Sequence, residues 1–158
     1  MSEVGYRLRK AGHQDLTGLA RLCEAHARYE RLDPPEQGFT GRLAKVWFTA
    51  DPVAWCWLAE LPGGVLAGYL SCSMEFGVRE GRYLHLDCLY VDEAHRARGI
   101  GVALLAQAGE DARQRDVSVV RWQTPEWNTG AIRFYRREGA LPVAVTQFCV
   151  SHAVTPPR

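Results

Sequence analysis

Residues 83–101 read Tyr-Leu-His-Leu-Asp-Cys-Leu-Tyr-Val-Asp-Glu-Ala-His-Arg-Ala-Arg-Gly-Ile-Gly, and this stretch decides the fold. An apolar strand runs into a short polar turn, and a glycine-punctuated basic loop opens a helix expected over residues 102–115. The first turn of a helix carries backbone N–H groups without intrahelical partners, and the helix dipole adds partial positive charge, so the place suits an anion. Gly99 and Gly101 lack a Cβ and let a phosphate approach the backbone, while Arg96 and Arg98 add full charges. The pattern predicts a pyrophosphate cradle. A dinucleotide fingerprint would need a further glycine where Leu104 stands, and a P-loop would need Gly-Lys-Ser/Thr, which does not follow. The plain alternative is a helix start with solvated arginines.

The strand itself carries a second signal. Leu84 and Leu86 alternate with His85 and Asp87, but further on the apolar set is Leu89 and Val91. A one-residue phase slip inside a strand is what a β-bulge produces, and it is expected near residues 87–89. Backbone groups freed by a bulge can hold an extended, amide-containing ligand in strand fashion. A central strand buried on both faces, which need not alternate, is the competing account.

The rest of the chain is consistent with an α/β domain. With 158 residues and a formal net charge of +1, it is long enough for one real core and too weakly charged for bulk nucleic-acid binding. Five cysteines, an odd number with no Cys-x-x-Cys, suggest free thiols in a reducing compartment, and no metal-ligand spacing is present. No signal peptide and no apolar run of spanning length are visible, so a cytoplasmic protein with no membrane partner is expected. Strands are predicted over residues 6–10, 54–61, 65–76, 83–91, 117–123 and 143–150, and helices over 13–30, 40–48, 102–115 and 129–138. The strand after the 102–115 helix should run parallel to its predecessor. Residues 1–154 are expected to form a single domain and 155–158 a loose tail.

A second constellation follows the strand ending at Thr124: Pro125-Glu126-Trp127-Asn128, then Ala131 and Phe134-Tyr135. Asn128, Ala131 and Tyr135 share one helical face. A phenol there can donate a proton, although a helix whose aromatics merely fill the core has the same pattern.

Taken together, Arg96-x-x-Gly99-x-Gly101 after a bulged strand and Asn128-x-x-Ala131-x-x-Phe134-Tyr135 resemble the GNAT superfamily of acyl-CoA-dependent N-acetyltransferases, across nearly the whole chain. Ala27-Arg28-Tyr29-Glu30 and Glu126-Trp127-Asn128 are similar to the diamine branch, which acts on spermidine/spermine and thialysine. The resemblance implies a twisted mixed sheet with a bulged central strand, flanked by helices. It implies that backbone at Leu89 and Val91 holds the pantetheine arm of acetyl-CoA. Arg96, Ala97, Arg98, Gly99, Ile100 and Gly101 would then hold the pyrophosphate, and Asn128 would touch the cofactor. Tyr135 would protonate the departing thiolate, and Asp87 would serve amine deprotonation. Cys88 departs from the branch, which carries a second carboxylate there, so other small amines stay open as acceptors. The branch also implies a homodimer, for which the apolar residues 143–150 offer an edge.

An amine attacks a thioester only when neutral, so the site needs a proton acceptor and negative charge. Glu30 and Glu75 are candidate acids for binding the amine, and Trp127 a candidate contact, while Asp87 lies mid-strand with His85 as its expected partner. A covalent route through Cys88 lacks a guaranteed adjacent His, so direct transfer in a ternary complex is expected. A non-catalytic acyl-CoA sensor and a protein N-terminal or lysine acetyltransferase are the alternatives.

Overall fold

The computed structural model describes residues 5–150, which fall in two compact units, Met1–Pro125 and Glu126–Arg158. The first unit holds strands β1 (Arg7–Lys10), β2 (Ala54–Glu60), β3 (Leu66–Gly77), β4 (Gly81–Val91) and β5 (Val120–Arg121), with helices α1 (Leu16–Tyr29), α2 (Phe39–Trp47) and α3 (Ile100–Gln114). They form one sheet in the order β1-β2-β3-β4-β5. Each of the first four strands pairs antiparallel with the next, and β5 lies parallel to β4, as the crossover through α3 predicts. The Pro62-Gly63-Gly64 turn forms between β2 and β3, with both glycines in the left-handed region (φ 83° and 82°), where a side chain would be strained.

The predicted bulge sits in β4. Ser71 pairs with Cys88 and Cys72 with Leu86, which leaves Asp87 as the extra residue. The slip keeps the large side chains on one face. Leu84 and Leu86 before it and Leu89 and Val91 after it all pack against α3, in a cluster centred on Leu70, Ile100 and Leu104. Cys88 and Tyr90 turn instead to the opposite face, where Leu19 and Leu22 of α1 cover Leu58 and Tyr69. Beside the bulge the strands approach closely. A Cβ on Gly68 would lie 2.6 Å from the Tyr90 carbonyl oxygen, so that position in β3 has no room for a side chain.

Two polar clasps fix elements to the sheet. Arg9 of β1 grips Asp15 at the start of α1 through two bonds of 2.7 Å. On the other face Asp111 of α3, only 1% exposed, accepts the indole N–H groups of Trp55 and Trp57 and the Gln107 amide. The Arg115 guanidinium lies 3.6 Å from the centre of the Trp55 ring, closing the clasp at the helix end.

Two expectations fail. The strand expected over residues 117–123 shrinks to β5, because Asp116 turns left-handed (φ 55°) and Val117 donates to the Ala112 carbonyl, so the helix exit absorbs the first part. In the second unit α4 (Thr129–Arg137) forms and Gly139 (φ 90°) closes it as expected. Residues 141–150, however, carry no strand, and their large apolar side chains are exposed. Apolar and aromatic side chains make a strand possible, but a ladder partner makes it real, and none is present for this segment among the described residues. The expected tail at 155–158 lies outside the described residues. Among the described residues no helix is long and apolar enough to cross a membrane.

Candidate active site

The strand–loop–helix run of the first unit has the backbone geometry that an anion cradle would need. Asp92 leaves β4 with its N–H bonded to the Ala67 carbonyl (2.8 Å), and its side chain caps the short turn Glu93–His95 by accepting from the Ala94 N–H (3.0 Å). Ala97 (φ 62°) and Gly99 (φ 78°) then bracket Arg98 in the left-handed region. Left-handed residues within a turn direct neighbouring N–H groups into one concavity, the geometry of an anion nest. Ala97 has no glycine's freedom to relieve its conformation, and such strain is concentrated where function needs it. Gly99 is the N-cap of α3 and offers no side chain, so the first-turn N–H groups face outward uncapped by it. Ile100 is 1% exposed and anchors the helix start in the core, leaving only its backbone for a ligand.

The two arginines differ. Arg98 is exposed. Arg96 is tied back to the strand end: its Nε donates to the Val91 carbonyl (3.0 Å), and its guanidinium sits 4.7 Å from the Tyr29 ring centre and 5.8 Å from that of Tyr90. The cradle thus meets the C-terminal end of α1.

Near the same end of α1 lies the acidic group. Asp87 is exposed at the bulge, and its Oδ2 accepts from Ser71 Oγ (3.2 Å) and Cys88 Sγ (3.5 Å), not from His85. Glu30, the C-cap of α1, reaches His26 Nε2 at 3.5 Å, and His26 Nδ1 lies 2.8 Å from the Tyr69 hydroxyl. Burial lowers the proton affinity of His26, against the pull of the Glu30 and Asp87 carboxylates. The Cys88 thiol is pushed up to about 12, first by burial and then by Asp87, so it stays protonated and is a poor nucleophile at neutral pH. Glu75 does not join this group. It accepts from the Tyr83 hydroxyl (2.6 Å), and Tyr83 stands four residues before Asp87, roughly 13 Å along the strand.

In the second unit Asn128 is buried and caps α4, its Oδ1 accepting from the Ala131 N–H at 3.2 Å. Trp127 beside it is 40% exposed. Tyr135 is half-buried, with its ring 5.2 Å from that of Phe134. Phe134, expected to fill a core, is only half-buried too.

Sequence reasoning missed His26, Tyr69 and Ser71. His26 follows Leu19 by seven residues, which puts it on the apolar face of α1, and that spacing was the available signal. Tyr69 and Ser71 become visible only through strand pairing.

The model for the Acetyltransferase (GNAT) family matches residues 19–140. The chain is 26% identical over 140 residues to the bovine (Bos taurus) thialysine N-epsilon-acetyltransferase, covering 84% of this chain and 82% of that one. It is 30% identical over 74 residues to an L-ornithine N5-acetyltransferase of Arabidopsis thaliana, covering 47% of this chain and 32% of that one. Among solved structures, an aminoglycoside acetyltransferase from an uncultured soil metagenomic sample superposes with a TM-score of 0.78 at 19% identity, over 97% of this chain and all of that one. At that identity the likeness is one of fold.

Proposed function

Because the chain belongs to the GNAT family of acetyltransferases, we propose that this N-acetyltransferase moves the acetyl group of acetyl-CoA to the primary amine of a small diamine, polyamine-like or amino-acid-like acceptor. One observation carries the proposal: the bulge leaves Asp87 as the extra residue of β4, one strand-end ahead of the turn in which left-handed Ala97 and Gly99 lead into α3. Base and phosphate cradle therefore belong to one continuous run of chain. The names of the thialysine and ornithine relatives, which specify side-chain nitrogens, support an amino-acid-like amine.

The cradle fits acetyl-CoA. Uncapped N–H groups of α3 and the Arg98 charge suit the pyrophosphate, and Arg96 stands at the strand end beside it. Backbone at Leu89 and Val91 would pair with the amides of the pantetheine arm. Aliphatic amines have pKa values of about 10 and are protonated at neutral pH, so Asp87 would take the proton before attack, with Glu30 adding negative charge. The neutral amine then attacks the thioester carbonyl directly, and Tyr135 would give its proton to the thiolate. The raised Cys88 thiol argues against a covalent acyl-enzyme and supports direct transfer in a ternary complex.

Thiol release with a panel of diamines, polyamines and basic amino acids tests the proposal. Turnover with at least one small amine is expected. Binding of acetyl-CoA without turnover on any amine or peptide would make the chain a sensor, and turnover on peptides alone would make it a protein acetyltransferase.

Bulk in the first turn of α3 should close the cradle. Gly101→Val is expected to weaken acetyl-CoA binding at least about tenfold, or about 1.4 kcal/mol. Unchanged affinity by calorimetry in a folded variant would reject the cradle. We also propose a homodimer. Leu141, Val143, Val145, Phe148 and Val150 are 75–91% exposed, more apolar surface than an isolated chain of this size leaves open without use. Light scattering should return twice the 17.7 kDa chain mass, and a monomer at micromolar concentration would contradict it.

A further inference from the structure

Asp87 is exposed, yet its carboxylate is held from the protein side. As the extra residue of the bulge it stands outside the regular ladder of β4, so strand pairing alone does not aim its side chain. Two donors do. Ser71 Oγ reaches Oδ2 from the neighbouring strand β3 (3.2 Å), and Cys88 Sγ reaches it from the next residue of β4 (3.5 Å). Both bonds end on the same oxygen, and Oδ1 carries neither. The charge of Asp87 is also felt by Cys23 and His26 of α1 and by Cys72 of β3. Among the described residues, however, the hydrogen bonds to its carboxylate come from Ser71 and Cys88.

Ser71 is placed for this bond. It is 3% exposed, within a run from Leu66 to Cys72 that is buried throughout. A hydroxyl there is costly unless bonded, and an alanine would fill nearly the same space without that cost. Ser71 pairs with Cys88 across the ladder, directly beside the bulge, so the register sets it next to the residue it must reach. The Cys88 thiol, pushed up to about 12 by burial and by Asp87, keeps its proton at neutral pH and so can donate as well.

We propose that Ser71 is a positioning residue for the acetyl transfer: with the Cys88 thiol it pins Asp87 Oδ2, which turns Oδ1 to the acceptor amine as the oxygen that takes the proton. Ser71 has this role only if Asp87 is the base, as proposed above. In the step, an N–H bond of the ammonium breaks and an O–H bond forms at Oδ1, while the electron pair stays on nitrogen for the attack on the thioester. The Ser71 and Cys88 protons stay where they are. The carboxylic acid, exposed at the bulge, then returns its proton to water. A carboxylate released by Ser71 can rotate about its side-chain bonds, and proton transfer needs the two heavy atoms within about 2.6–3.2 Å.

Ser71→Ala should lower kcat about tenfold at pH 7 with the best amine of the panel, and leave the calorimetric affinity for acetyl-CoA within about twofold. Two readouts separate positioning from damage to the fold. The deficit should shrink toward pH 10, where free amine no longer needs a base. In an Asp87→Asn background the same substitution should cost less than about twofold more, because its effect passes through Asp87. Wild-type kcat in Ser71→Ala, a deficit equal at every pH, or a further loss beyond about twofold on top of Asp87→Asn would each overturn the positioning role. With Asp87→Asn impaired on its own, the base would still stand. A silent Asp87→Asn would remove base and positioning together. Should Ser71→Ala not fold, Cys88→Ala takes the other donor from Oδ2 and should lower kcat about threefold, the thiol being the weaker donor. The same pH and background tests then decide, and a wild-type kcat there overturns the role.

Discussion

Replacing Tyr135 with phenylalanine should leave acetyl-CoA affinity within about twofold and lower kcat by about 10²-fold. The acyl carbonyl, once attacked, must expel a thiolate, and without a donor that anion departs bare or waits for water. The phenol contributes at that step and not to ground-state binding, which is why the loss belongs in kcat. The ring is half-buried against Phe134, so removing one hydroxyl keeps the packing of α4. Asp87→Asn separates the opposite end of the proton's path. Its deficit should be greatest at neutral pH and shrink toward pH 10, where free amine no longer needs a base. Full turnover by both variants with the true acceptor across pH 6–10 would move the chemistry to other residues.

The largest stability effect is expected at Asp111, further along the helix α3 that the cradle opens. Asp111→Ala strands the indole N–H groups of Trp55 and Trp57, one buried and one half-buried. A buried donor without an acceptor costs about 1–3 kcal/mol, so the variant should lose roughly 2–5 kcal/mol of unfolding free energy. Asp111→Asn keeps an oxygen for the indoles, and Gln107 can turn its amide to accept, so that variant should lose far less. Urea unfolding of the three proteins reads the difference. An alanine variant as stable as the parent would show that the indoles find other acceptors.

What the sequence revealed was whatever has a local period. The bulge was legible because Leu84 and Leu86 fall out of phase with Leu89 and Val91, and the start of α3 because Gly99 and Gly101 punctuate the basic loop after the strand. Gly139 closed α4 where a helix stop was expected. The misses are all matters of partnership. Residues 143–150 are apolar and aromatic enough for a strand, yet pairing is not written in one segment. Val117 looked like strand but is held by Ala112, a residue of the helix before it. Asp111 reads as one more polar helix residue until two tryptophans from β2 are brought to it. His85 seemed the partner for Asp87 by spacing, whereas the bonds come from Ser71 across the ladder and from Cys88 next door. Glu30 and Glu75 looked alike as candidate acids, and only the fold separates them.

The Asp111 clasp also orders the events by which the chain folds. β2, β3 and β4 are successive hairpin neighbours, so their ladders close over short loops. The clasp joins residues 56 and 54 positions apart. Closing a loop that long costs about 1.5 kcal/mol more than closing one of ten residues, and the crossover through α3 must form before β5 can reach its place beside β4. The antiparallel meander therefore assembles first and waits with Leu84 and Leu86 uncovered, which makes this interval the one most exposed to aggregation. Trp55 and Trp57 pass from water to a carboxylate-capped interior when α3 arrives, so their fluorescence marks the end of that interval.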